Sequence, residues 1–136
     1  MISKLKNQFI QMAFISTIWV LVILSFSGIE KTVPLNYYWH IIGIGVIFGL
    51  IFGVCYPYIW HYSTWPASVN VFTTTVLNFL GGLLVVYLFS VDMFDLIIPF
   101  WWAMLLLNLG LHTIAFYFYR NQQNKRLAKE LNHLTN

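Results

Sequence analysis

The sequence predicts an all-α membrane protein: four transmembrane helices in an up-down bundle, with both termini cytoplasmic. Three observations lead there. Of 136 residues, 60% are hydrophobic and only 8% charged, with a mean hydropathy of +0.74, whereas about a quarter of an average soluble domain is charged. Apolar stretches recur four times, over 9–29, 37–60, 67–91 and 96–119, each long enough for a helix to cross a bilayer core of about 30 Å. Lys and Arg gather at the two ends, which is the bias that keeps chain ends on the cytoplasmic side.

Residues 1–136 therefore read as a single integral membrane domain of the cell membrane, multi-pass, with no soluble module. One cysteine, Cys55, leaves no pair for an internal disulfide or a CxxC redox motif. The net charge of +3 is concentrated at the termini, so it orients spans and is no nucleic-acid footprint. The partner that composition implies is the lipid bilayer.

The head, MISKLKNQ, carries Lys4 and Lys6, and the run FIQMAFISTIWVLVILSFSGI (9–29) follows. It is too long for a signal-peptide core, and Ser25-Phe26-Ser27-Gly28 is a poor cleavage site, so it reads as a retained first helix. Its Ser16 and Thr17 are expected to bond back to backbone carbonyls or to a neighbour. A loop with cancelling charges, Glu30 and Lys31, leads to YYWHIIGIGVIFGLIFGVCYPYIW (37–60). Aromatic residues open and close this second span, as at the two headgroup levels, and Pro57 is expected to bend its last turn. The turn HYSTWP (61–66) precedes the third span, ASVNVFTTTVLNFLGGLLVVYLFSV (67–91); a short acidic turn with Asp92 and Asp95 precedes the fourth. Basic residues number two in the head and four in the tail, against one Lys and three acids in the outer loops. Charge bias and an even number of spans agree.

Two constellations lie inside the spans. Gly45, Gly49 and Gly53 are spaced by four and form a smooth ridge where another helix backbone can approach closely. No strand precedes them, so a nucleotide-binding loop is excluded. The spacing leaves open whether the partner helix is internal or belongs to a second copy. Asn78 lies 11 residues in from the start of its span and Asn108 lies 11 in from the end of its own, so antiparallel neighbours bring both amides to the midplane. His112, one turn from Asn108 on the same face, then falls at the level of Asn70, Thr73 or Thr74. One reading of this set is a structural seam, since an interhelical polar bond in lipid contributes about 0.6–2 kcal/mol. The other is a ligand, proton or switch site, because ionisable groups inside membranes mark function.

No metal site is expected, since His40, His61, His112 and His133 share no i, i+3 or i+4 relation and such a site needs three or four converging ligands. No cofactor is expected either, and no catalytic set is recognisable; Ser90 beside Asp92 reads as a helix-end residue. The tail, RNQQNKRLAKELNHL (120–134), sets Arg120, Lys125, Arg126 and Lys129 around Leu127, Leu131 and Leu134. It reads as a helix on the inner leaflet, as a docking face for a partner, or as an extension of the fourth span.

Several features resemble a family of small bacterial four-span membrane proteins whose genes sit beside LytTR-type transcription regulators, often with transporter genes. They are the glycine-rich second span, Trp65, the Asn78-Phe79 pair, the exit Phe116-Tyr117-Phe118-Tyr119-Arg120 and the closing Lys129-Glu130-Leu131-Asn132, over roughly 43–134. In that family a His typically precedes the phenylalanine, so Asn78 departs from the pattern and loses ionisability there. The resemblance implies a non-enzymatic protein that modulates or sequesters a cytoplasmic LytTR-type regulator, docked through the leucine stripe with Arg126 and Lys129. The alternative is a small transporter or channel, or an accessory subunit of one, acting as a homo-oligomer or with a transporter partner. Export of the kind that depends on a membrane-embedded acid is disfavoured, because every Asp and Glu lies outside the spans.

Overall fold

A computed structural model describes residues 1–26 and 34–134, with side chains through 132. Gly28, Glu30, Lys31, the side chains of His133 and Leu134, and residue 136 lie outside the described residues. Helix α1 runs Ile2–Phe26 and α2 starts at Tyr37–Leu50. The latter continues through two wide π turns, Ile51–Cys55 and Tyr58–Tyr62, on either side of Pro57. Helix α3 is Ala67–Phe89, a short α4 is Val91–Ile97, and a 3-10 turn Ile98–Phe100 leads into α5, Trp101–Leu134. Four helical stretches are long and apolar enough to cross a membrane: Ile2–Phe26, Tyr37–Tyr62, Ala67–Phe89 and Val91–Asn132. With no strand among the described residues, the protein is an all-α, multi-pass membrane protein.

Neighbours run antiparallel. On α1, Phe9 faces Gly53 and Thr17 faces Gly45 of α2; Tyr37 and His40 at the start of α2 bond to Phe89 and Leu88 at the end of α3; Asn78 of α3 meets Asn108 of α5. A small core of Val20, Ile41 and Ile44, flanked by Leu24, Val85 and Leu88, closes the end where α1 finishes and α2 begins. At the opposite end Lys4 and Gln8 of α1 border the same cavity as Tyr119 and Gln123 of α5. The outward faces keep large apolar side chains such as Trp19, Phe72 and Leu107 exposed, as lipid contact requires.

Some boundaries differ from those the sequence suggests. The second span does not stop at Trp60: Pro57 lacks an N–H, and the helix widens around it. The Tyr56 N–H reaches the Ile51 carbonyl and the Ser63 N–H reaches the Tyr58 carbonyl at 3.0 Å, each five residues back. The acidic turn is itself helical. Ser90 caps α4 by accepting the Met93 N–H at 3.3 Å, with Asp92 in the first turn, where the helix dipole favours an acid. The tail continues the fourth span without a break: α5 is one helix of 34 residues, about 51 Å long.

Candidate functional site

The polar side chains of the spans converge where α2, α3 and α5 meet. Asn78 and Asn108 sit at mid-span, where lipid offers no hydrogen-bonding alternative, and an unpaired polar group there costs several kcal/mol. The Asn78 amide donates to Asn108 Oδ1 at 3.0 Å, and the Asn108 amide donates to the Thr75 carbonyl at 3.3 Å. The Asn108 backbone carbonyl accepts from His112 Nδ1 at 2.8 Å, one turn on. A carbonyl only accepts, so that nitrogen carries the proton. In the neutral ring the other nitrogen, Nε2, is then an acceptor, and the Tyr56 hydroxyl donates to it. The chain Tyr56–His112–Asn108–Asn78 thus ties three helices together, its middle link running through the Asn108 backbone carbonyl. His112 is buried.

The structure brings Asn78, Asn108 and His112 together and leaves Asn70 and Thr74 out. Both are buried, but their bonds are local. Thr74 Oγ1 donates to its own helix, to the Asn70 carbonyl at 2.8 Å and the Val71 carbonyl at 3.2 Å. The Asn70 amide reaches only the Trp65 carbonyl at 3.5 Å. Neither residue bonds to His112. A threonine hydroxyl inside a helix finds a carbonyl one turn back before it finds a neighbouring helix, and Thr17 does the same with the Ala13 carbonyl at 2.8 Å.

Tyr56 is the residue the sequence reading missed, having been placed among the headgroup aromatics. Its signal was present in a ladder of aromatics spaced by four. Phe48, Phe52, Tyr56 and Trp60 stack along α2 with ring centroids 5.6, 5.1 and 5.3 Å apart. Trp60 in turn packs on Phe116 and Tyr119 of α5 at 5.5 and 5.3 Å. Beyond it, the Tyr119 oxygen accepts from the Gln123 amide at 3.3 Å, which leaves its O–H for His61 Nδ1 at 3.3 Å.

The glycine ridge faces inward, onto α1. A Cβ on Gly53 would stand 2.7 Å from Phe9 Cα and 2.8 Å from the Gln8 carbonyl oxygen; one on Gly49 would stand 2.9 Å from Ala13 Cβ; one on Gly45 would overlap Thr17 Oγ1. Among the described residues no three His, Cys, Asp or Glu side chains gather as metal ligands would. On α5 Arg120, Lys125, Arg126, Leu127, Lys129 and Leu131 are all exposed. They follow the apolar part of the helix with no break. The bonded set around His112 can hold helix register; it offers no nucleophile beside a base. No family model, no curated protein and no solved structure matches the chain.

Proposed function

We propose that this is a non-enzymatic protein of the cell membrane, both termini in the cytoplasm, that holds a cytoplasmic transcription regulator through the C-terminal part of α5. The observation that carries the reading is the unbroken helix 101–134, whose last four turns leave the apolar span while remaining helical. A short helix in water is marginal by itself. One that presents Leu127 and Leu131, 54% and 64% exposed, among Arg126 and Lys129 suits an apolar stripe in a partner groove with acidic rims. The resemblance supplies the kind of partner, a LytTR-type regulator. Orientation follows from charge: Lys4 shares one end of the bundle with Tyr119 and Gln123, so both basic segments lie together, and the positive-inside rule assigns that end to the cytoplasm.

Replacing Leu127 and Leu131 together by Ser should release most of the regulator from the membrane fraction while the variant itself remains there. Unchanged co-sedimentation rejects the docking role. The transport alternative draws less support, because the Asn78 and Asn108 amides and the His112 imidazole already have partners within the protein. Reconstituted protein that conducts ions, with conduction lost on Asn108→Leu, would reverse that preference.

A further inference from the structure

Two adjoining cavities at the end of the bundle that holds Lys4 and Arg120 have no role in that reading. The larger is an open apolar groove of about 720 Å³ between α3 and α5, walled by Val71, Phe72, Leu109, Phe116 and Tyr117. Ligand pockets commonly fall between about 300 and 1,000 Å³. From Leu109 to Arg120 it descends eleven residues of helix, about 16 Å, which is the depth of one leaflet of a core about 30 Å thick. The smaller, about 150 Å³, is more enclosed and polar, and includes Trp60, Ser63 and Asn70. Ala67, Phe116 and Arg120 belong to both walls, so a cation stands where the apolar groove turns into the polar pocket. The polar wall also contains two unpaired groups. The Trp60 indole N–H, a donor, and Asn70 Oδ1, an acceptor on a side chain only 5% exposed, are buried without partners, a state that costs about 1–3 kcal/mol for each.

We propose that this composite site binds one glycerophospholipid whose head group carries a hydrogen-bond donor beyond its phosphate. An acyl chain fills the groove along Val71, Phe72 and Leu109. The phosphate takes charge-assisted bonds from the Arg120 guanidinium, whose planar fork matches two phosphate oxygens, and the Trp60 N–H. Asn70 Oδ1 needs a donor, which an ionised phosphodiester lacks. The ammonium of an ethanolamine head or a hydroxyl of a glycerol head supplies it; a choline head, fully methylated, cannot. A small shift of the two buried groups toward the head ends their unpaired state. Bound at this place, the lipid also braces the base of the α5 extension.

The test is native mass spectrometry of the detergent-solubilised full chain with added phosphatidylethanolamine, phosphatidylglycerol or phosphatidylcholine. One equivalent of either of the first two should be retained about tenfold more tightly than phosphatidylcholine. Arg120→Gln, at an exposed position, should weaken all three by about tenfold or more. Asn70→Leu should erase the preference over phosphatidylcholine while keeping the thermal midpoint. If Asn70→Leu fails to fold, the Arg120→Gln arm and the three-lipid comparison decide alone. Equal retention of the three lipids by the unaltered chain, retention indifferent to Arg120→Gln, or displacement by excess inorganic phosphate as effective as by phosphatidylethanolamine would each overturn the proposal. The last would assign the pocket to a free anion.

Discussion

Two helix interfaces of this molecule solve one problem in opposite ways. Between α1 and α2, Gly45, Gly49 and Gly53 let the backbone of α2 lie against Phe9, Ala13 and Thr17. Between α3 and α5, Asn78, Asn108 and the Thr75 carbonyl are bonded to each other, and the packing is loose enough to leave a cavity of about 230 Å³ beside the two amides. In lipid the hydrophobic effect does not drive helices together, so association comes from close packing or from interhelical bonds. The first interface uses shape and tolerates no added atom. The second uses direction: it fixes register at one level and leaves grooves above and below it. The second therefore leaves room for a ligand between its helices.

The largest expected effect tests the close interface. Gly53→Ala places a methyl against the backbone of Phe9 and Gln8, which cannot swing aside as a side chain would. It should destabilise the protein by about 1–3 kcal/mol, read as a lower unfolding midpoint in detergent, and Gly53→Leu should release α1 to proteolysis. Gly82→Ala, where a Cβ meets nothing within 4 Å, should change the midpoint by less than about 0.5 kcal/mol. Helix propensity favours alanine at both positions, so equal costs at the two glycines would show that contact with α1 does not set the penalty.

A middle-sized effect belongs to the seam. Asn108→Leu removes two side-chain bonds and strands the Asn78 amide, at an expected cost of about 1–2 kcal/mol. In a double-mutant cycle Asn78→Leu should add little once Asn108→Leu is present; full additivity would mean that the two amides do not act as a pair. The Tyr56–His112 bond should show a smaller coupling, about 0.6–1.7 kcal/mol between Tyr56→Phe and His112→Leu. Its loss should leave the α1–α2 contact untouched, as unchanged resistance of α1 to proteolysis would report. The smallest effect is Thr74→Val. The hydroxyl serves only carbonyls of its own helix, so the midpoint should move by less than about 0.5 kcal/mol, and a larger loss would return Thr74 to the seam.

Much of this comparison was legible before any coordinates. The glycines spaced by four announced a close approach, and the equal depth of Asn78 and Asn108 announced their meeting, because both follow from helix rise and period alone. Tyr56 was not legible as a partner of His112. A tyrosine near a span end normally anchors at the headgroups, and two wide turns around Pro57 set which way α2 presents its last aromatics. Asn70 and Thr74 share a face with Asn78, yet sharing a face does not decide whether a hydroxyl bonds outward or back along its own helix.

The class of the protein, its four spans and the matched positions of Asn78 and Asn108 along theirs were legible from sequence alone. These depend on composition, length and the fixed rise of a helix, which are local properties. Packing between helices settled the rest: that the glycine ridge faces α1, that His112 takes its bond from Tyr56, and that an apolar groove meets a polar pocket at Arg120. Those facts depend on how each helix is rotated about its own axis. In a lipid environment many side chains can face outward at little cost, so rotation is set by the sum of close contacts and polar bonds across all neighbours at once.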